Sequence, residues 1–311
     1  MKVCFVGLGS IGKRHLKNLY LVCKRRGVFL EVHALRNNKN ILDDDIDKIV
    51  NKQFYNKNEM DSHYDMIFLT NPTNLHYKSL LELRDYSKAF FIEKPVFENV
   101  YEDLRELNLH ADGKYYVACP LRHTNVIKYL NDFTKENDIY SARVISSSYL
   151  PNWRPGIDYR TIYSSYKEQG GGVCIDLIHE WDYISYLFGF PEKSKFFSDK
   201  VSHLEITSED LAIYIAKYKD KLVELHLDYF GRVPRRSIEL FTKDATIMVD
   251  ILNSKISFSD EREDIKFIED SNDKYIKEIE YFLDLCQGKE ENINDIVNAI
   301  KVLKIAQTEN I

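Results

Sequence analysis

At 311 residues the chain is long enough for about two domains, and its 44% hydrophobic and 30% charged residues are those of an ordinary globular protein. The formal net charge is -6 with Lys and Arg scattered among the acids, so there is no basic stripe for nucleic acid. Five dispersed cysteines without a CxxC pair argue against a disulfide framework or zinc site and for reduced thiols in the cytoplasm.

No apolar run approaches the roughly 18 residues needed to span a bilayer, and Met1 leads straight into a strand, so neither a membrane anchor nor a secretory leader is expected. The nine histidines form no ligand-spaced cluster, and no metal is expected. Lys24-Arg25-Arg26 and Arg235-Arg236 read as helix ends or solvated faces.

In chain order, Lys2–Val6 reads as a strand, Arg14–Arg26 as a helix and Phe29–Leu35 as a second strand. Asp65–Thr70, Ala89–Ile92 and Tyr115–Cys119 are further short apolar strands, with a helical stretch over Leu75–Arg84. Strands alternating with helices imply right-handed βαβ units and a parallel sheet. Past Pro120 the pattern changes. A helix over Asn125–Phe133 leads to a strand over Ala142–Tyr149, a long polar and aromatic loop, and a glycine-rich helix start. Leu211–Tyr218, Leu222–Tyr229, Ser237–Phe241 and Thr246–Val249 then suggest consecutive antiparallel strands, before helices over Tyr275–Cys286 and Ile293–Ala306. The expectation is an α/β domain with a parallel sheet over 1–120. An α+β domain with a largely antiparallel open sheet follows over 121–311, its C-terminal helices able to pack back on the first.

Gly7-Leu8-Gly9-Ser10-Ile11-Gly12 is a GxGxxG directly after the first strand and at a helix start. Gly7 suits the tight turn, Gly9 the close approach of a pyrophosphate, and Gly12 the packing of helix on strand. The helix N-terminus offers N–H groups and partial positive charge to phosphates. The second strand ends Ala34-Leu35-Arg36-Asn37 without the acid that would bind ribose hydroxyls, and Glu31 lies at the wrong end. Arg36, with Lys39, suits a 2′-phosphate, so NADP(H) is favoured over NAD(H).

Gly170-Gly171-Gly172 precedes Asp176, His179 and Asp182, spaced by three. That spacing predicts a helical face carrying acid, imidazole and acid, with the glycines letting the chain pass close to a ligand. Histidine suits proton transfer at neutral pH, and a lysine such as Lys94 can stabilise a developing alkoxide. Asp182 and Glu180 are read as structural. Between 149 and 169, Trp153, Tyr159, Tyr163 and Tyr166 alternate with Arg154, Asp158 and Arg160. Aromatic faces suit the C–H faces of sugars and arginine can clamp a carboxylate or phosphate, while the same residues could simply pack a long loop.

Asn71-Pro72-Thr73-Asn74-Leu75-His76 and Glu93-Lys94-Pro95, with the glycine loop and Gly170–Asp182, make the chain resemble the Gfo/Idh/MocA oxidoreductases over nearly its whole length. That family is named for glucose–fructose oxidoreductase and inositol dehydrogenase. Arg122-His123, Asp210 and Arg235-Arg236 resemble recurrent features of its second domain. The loop from Leu150 to Arg160 resembles a branch often linked to bacterial surface sugars.

The resemblance implies a Rossmann domain holding NAD(P), with Gly7, Gly9, Ser10, Ile11, Gly12, Arg36, Asn71, Pro72, His76, Glu93 and Lys94 at the cofactor. Lys94, His179 and Asp176 would be catalytic, and Arg122, Trp153, Tyr159, Arg160 and Tyr163 would meet a sugar-like substrate. A homo-oligomer through the second-domain sheet is also implied. The family's usual spacing between that acid and histidine is four residues, against three here. The expected activity is NAD(P)-dependent hydride transfer at a CH–OH group of a sugar or nucleotide sugar. A non-catalytic dinucleotide-binding sensor, and a reductase of a non-sugar carbonyl or imine, remain open.

Overall fold

Short strands buried on both faces dictate the first sheet. In the computed structural model, which describes residues 1–308, these strands are β1 (Lys2–Val6), β2 (Glu31–Leu35), β3 (Lys52–Phe54), β4 (Met66–Leu69), β5 (Ala89–Ile92) and β6 (Lys114–Val117). They pair in parallel in the order β3-β2-β1-β4-β5-β6. Every residue of β4 and β5 is buried, as strands covered on both faces require. Helices α1 (Ser10–Arg25) and α3 (His76–Leu83) are the longer connections, and α2 (Asp44–Asp47) and α4 (Leu104–Leu107) are single turns. The direction of winding reverses between β1 and β4, which makes the carboxyl ends of those strands the natural ligand edge.

Residues 121–271, joined by 301 onward, form a second unit, distinct from 1–120 with 272–300. Here α5 (Asn125–Glu136) is capped by the Thr124 hydroxyl, which accepts from the Ile127 N–H at 3.3 Å. Next come β7 (Ser141–Tyr149), α6 (Val173–Asp176) and α7 (His179–Phe188). The strands that follow are β8 (Lys193–Asp199), β9 (Leu211–Lys217), β10 (Leu222–Asp228), β11 (Phe230–Phe241), β12 (Thr246–Asp250), β13 (Lys255–Phe258) and β14 (Ile265–Lys266). They form one sheet in the order β14-β13-β12-β11-β7-β10-β9-β8. α7 buries Trp181, Tyr183 and Ile184, and Trp181 meets Tyr214 of β9 edge-on at 5.3 Å. The fold class is the expected one: a parallel α/β sheet followed by α+β with a largely antiparallel sheet.

The second sheet holds three strands beyond those expected, β8, β13 and β14, and it also departs from the expected order. β10 and β11 are consecutive but not neighbours, because β7 lies between them, parallel to β10 and antiparallel to β11. β7 enters from more than 70 residues upstream, and that long crossover is what a parallel pair needs. An irregularity in register between Phe230 and Arg235 lets β11 follow β7 along its length.

The chain then returns to the first unit through α8 (Asp273–Cys286), and α9 (Ile296–Gln307) contributes residues to both units. Ile279, Phe282, Leu283 and Leu285 of α8 join Leu16, Leu19 and Val22 of α1 and the sheet residues Phe5, Phe68 and Phe91 in one core. The Arg26 guanidinium grips Asp284 with two bonds of 2.8 and 3.0 Å. Glu278 is fully buried and accepts from the Tyr116 hydroxyl and the Cys119 N–H at 3.0 and 2.6 Å, closing the end of β6.

Candidate active site

In the first unit the glycine loop does what its spacing requires. Gly7 has φ +88°, and a Cβ there would stand 2.9 Å from the Asn71 Cα. A Cβ on Gly12 would meet the Gly7 carbonyl oxygen at 2.6 Å and the Thr70 hydroxyl at 2.7 Å, so α1 can lie this close to the sheet only with glycine there. Gly9 differs: it is exposed and a Cβ on it would meet nothing within 4 Å. The space beside it is open, as a pyrophosphate approach needs. Ser10 and Ile11 begin α1, whose first-turn N–H groups have no intrahelical acceptor.

The carboxyl ends of β4 and β5 are tied to this loop by buried polar bonds. The Thr70 hydroxyl donates to the Gly7 carbonyl at 2.6 Å. Asn71 donates through its amide to the Ser79 hydroxyl at 2.9 Å. His76 is 1% exposed; its Nδ1 lies 3.1 Å from both the Pro95 and Val96 carbonyls, and its Nε2 lies 3.0 Å from the Asn71 carbonyl. It thereby staples the Asn71-Pro72 turn to the segment after Lys94, and burial lowers its pKa.

Glu93 ends β5. One carboxylate oxygen lies 2.5 Å from His15 Nε2, and the other accepts from the Lys94 N–H at 3.1 Å. Burial pushes this carboxyl up, but the hydrogen bond to His15 and the charge of Lys94 outweigh it and hold it below its ordinary value. Lys94 is half-buried, and the peptide joining it to Pro95 is cis. At the end of β2, Arg36 donates to Gln53 Oε1 at 2.5 Å and to the Asn40 carbonyl at 2.6 Å. Glu31 lies at the opposite end of the strand, against His33 Nε2 at 2.9 Å.

In the second unit the glycines serve a different purpose from the one their sequence suggests. A Cβ on Gly171 would collide with the Tyr163 carbonyl, and one on Gly172, at φ +136°, with the Glu209 carboxylate. Glu209 also closes the start of α6, its carbonyl accepting from the Val173 N–H at 3.1 Å and its carboxylate from the Cys174 N–H at 3.4 Å. These two glycines make room for protein, not for a ligand. Nor is Gly170–Asp182 one helix: it breaks at Leu177–Ile178, so Asp176 ends α6 and His179 begins α7.

Asp176 is 7% exposed, and its two carboxylate oxygens accept from the Tyr163 and Tyr229 hydroxyls, each at 2.6 Å. Burial, and then the charge of Asp176, raise the pKa of both tyrosines, which keeps them phenolic donors. Trp153 packs edge-on to Tyr229 at 5.1 Å and donates from its indole N–H to Ser148 at 2.9 Å. Tyr163 and Trp153 thus gather around Asp176, and His179 begins the next helix, half-buried.

The other sequence candidates have local partners. The Arg122 guanidinium is 5% exposed and forks onto Asp182 with bonds of 3.0 and 2.7 Å. Burial pushes the Asp182 carboxyl up while Arg122 pulls against it. Arg160 binds Asp158 and Glu205, and the Tyr159 hydroxyl accepts from the Glu205 N–H at 3.2 Å. Glu180, fully buried, takes the Arg236 Nε–H at 2.7 Å, so Arg236 is not a solvated residue. Sequence reasoning missed His15 and Tyr229. His15 could have been found as a histidine on the apolar side of α1; nothing in the sequence pairs Tyr229 with Asp176.

Comparison with known proteins agrees with this geometry. Residues 1–117 match the Gfo/Idh/MocA family model, an oxidoreductase family with an NAD-binding Rossmann fold. No curated protein matches the chain in sequence. Among solved structures, levoglucosan dehydrogenase in complex with NADH and levoglucosan aligns with a TM-score of 0.82 at 13% identity, covering 98% of this chain and 95% of its own. The WlbA dehydrogenase of Bordetella pertussis, solved with NADH and UDP-GlcNAcA, aligns at 0.77 and 16% identity over 99% and 95%. The myo-inositol 2-dehydrogenase of Lactobacillus plantarum aligns at 0.77 and 18% identity over 99% and 95%. At such identities the likeness establishes the fold.

Proposed function

We propose, from the match of residues 1–117 to the Gfo/Idh/MocA family model, that the chain is an oxidoreductase of that kind and moves a hydride to or from a CH–OH carbon of a sugar or nucleotide sugar. The observation that carries this reading is the convergence of the glycine loop, the Asn71-Pro72 turn and Glu93-Lys94 at the carboxyl ends of β1, β4 and β5, where the strand order reverses. Open space at Gly9 and the N-terminus of α1 fit a dinucleotide pyrophosphate. When bound, the nicotinamide supplies the hydride acceptor or donor.

The chain's own residues supply the rest. Gly7 and Gly12 shape the cradle, and Ser10 and Ile11 offer N–H groups to the phosphates. Asn71, Pro72, His76 and Glu93 hold the walls around the nicotinamide end. Lys94 polarises the substrate oxygen, and His179 takes or returns the hydroxyl proton. Asp176, fixed by Tyr163 and Tyr229, orients the substrate or the histidine. Trp153, Tyr159 and Tyr163 offer faces to a sugar ring with Arg160 beside them, and Arg122 acts on the substrate through its buried pair with Asp182. Arg36 favours NADP(H) over NAD(H), the reading its guanidinium and the missing acid support. The protein works in the cytoplasm as a homo-oligomer through the outer face of the second sheet. Exposed Phe197, Ile213 and Ile215 lie together on the outer strands β8 and β9 of that sheet and support this assembly.

Titration of reduced dinucleotides, followed by their fluorescence, tests the cofactor half. NADPH is expected to bind more tightly than NADH, and Arg36→Ala to remove the difference. Equal affinities in the unaltered protein would overturn the preference for NADP(H), and absence of any dinucleotide binding would overturn the whole reading.

A further inference from the structure

We propose that His15 is a positioning residue for Lys94, acting through Glu93. His15 lies on α1, and its imidazole is fully buried. Nε2 lies 2.5 Å from one Glu93 oxygen, while the other oxygen accepts from the backbone N–H of Lys94 at 3.1 Å. The Glu93 N–H in turn donates to the Leu69 carbonyl at 2.9 Å, so the carboxylate is fixed at the carboxyl end of the sheet. The ring is held by Phe91, edge-on at 4.8 Å, and by Tyr275 at 6.0 Å, over which the Arg14 guanidinium sits at 4.8 Å. Nδ1 is buried without a hydrogen-bond partner among the described residues. An unsatisfied N–H there would be costly, so the proton is assigned to Nε2, where it donates to the carboxylate.

This chain of bonds has a functional consequence. α1 starts at the glycine loop, and Lys94 follows β5; His15–Glu93 is the polar link between them. A shift of α1 on dinucleotide binding is therefore passed to the peptide that carries Lys94. Packing alone would need neither a charged partner nor the second carboxylate oxygen on Lys94. The inference rests on the proposed role of Lys94, but its test does not depend on turnover.

The test measures the rate at which Lys94 is acetylated by acetic anhydride at neutral pH, read by mass spectrometry on the full chain. It is run with and without NADPH in the unaltered protein, His15→Phe, His15→Gln and Glu93→Gln. His15→Phe is expected to change Lys94 labelling by about threefold or more, and His15→Gln, which keeps a donor, to restore it. An unchanged rate in folded His15→Phe overturns the proposal. If that variant does not fold, the isosteric Glu93→Gln decides: an unchanged Lys94 rate overturns the proposal, a changed one supports it. Turnover surviving Lys94→Ala would instead contradict the proposed function and leave the His15 result standing.

Discussion

The two units hold their site groups by different means. In the first, polar side chains are fixed mainly against backbone, Thr70 on the Gly7 carbonyl and His76 among the carbonyls of Asn71, Pro95 and Val96, while Glu93 divides its carboxylate between the Lys94 N–H and His15. In the second they are fixed against other side chains: Asp176 by two phenols, Asp182 by Arg122, Glu180 by Arg236. A site held by backbone belongs to the fold and survives changes of sequence. A group held by another side chain depends on both residues being present. The comparison also says where single substitutions should hurt most.

Breaking a buried charge pair is the largest expected effect. Arg122→Met leaves Asp182 uncompensated and is expected to cost about 3–5 kcal/mol of stability. Adding Asp182→Leu should recover most of that, measured by denaturant unfolding. Tyr229→Phe removes one of two bonds to the buried Asp176 carboxylate and is expected to cost about 1.5–3 kcal/mol. Loss of no more than a few tenths would show that the phenol pair does not hold the acid.

On the first unit's side, Gly12→Ala forces a Cβ against the Gly7 carbonyl and Thr70 and should cost about 1–3 kcal/mol. Gly9→Ala meets open space and should leave stability within about 0.5 kcal/mol while weakening dinucleotide binding. Equal thermal shifts for the two alanines would contradict the division of labour between these glycines.

Glu93 has a folded pKa below its ordinary 4.5, so its stabilisation is present above that pH and is lost as pH falls through the lower folded value. Asp182 is raised above its ordinary 3.8, so its contribution is present below that pH and is lost as pH rises through the higher folded value. Compared with Glu93→Gln in acid unfolding, the unaltered protein is expected to lose its advantage below about pH 4.5. A constant difference across that range would mean Glu93 is not held in its charged form.

The same contrast explains what could be read from the sequence. The glycine loop, the short apolar strands and the Glu93-Lys94 turn are local signals, so the first sheet and its ligand edge were legible. Signals that depend on distant chain were not. β7 slots between β10 and β11 because of pairing partners more than 70 residues apart, which no periodicity records. Gly171 and Gly172 looked like ligand-facing glycines, but they are small because Tyr163 and Glu209 pack on them. The spacing of Asp176 and His179 assumed one continuous helix, and the break at Leu177–Ile178 removes that assumption. Short, polar β3 and the edge strand β8, with Phe197 pointing outward, gave no alternation to read.

The change in near-ultraviolet absorbance of the nicotinamide across a panel of sugars and nucleotide sugars tests the proposed hydride transfer. Each would be run with NADP(H) and NAD(H), and with the unaltered protein, Lys94→Ala and His179→Ala. Turnover on at least one sugar is expected, falling about 10²–10³-fold in Lys94→Ala and about 10²–10⁴-fold in His179→Ala. Turnover that survives both substitutions, or NADPH bound tightly with no hydride transfer to any member, would contradict the proposal; the second outcome would return the chain to the sensor reading.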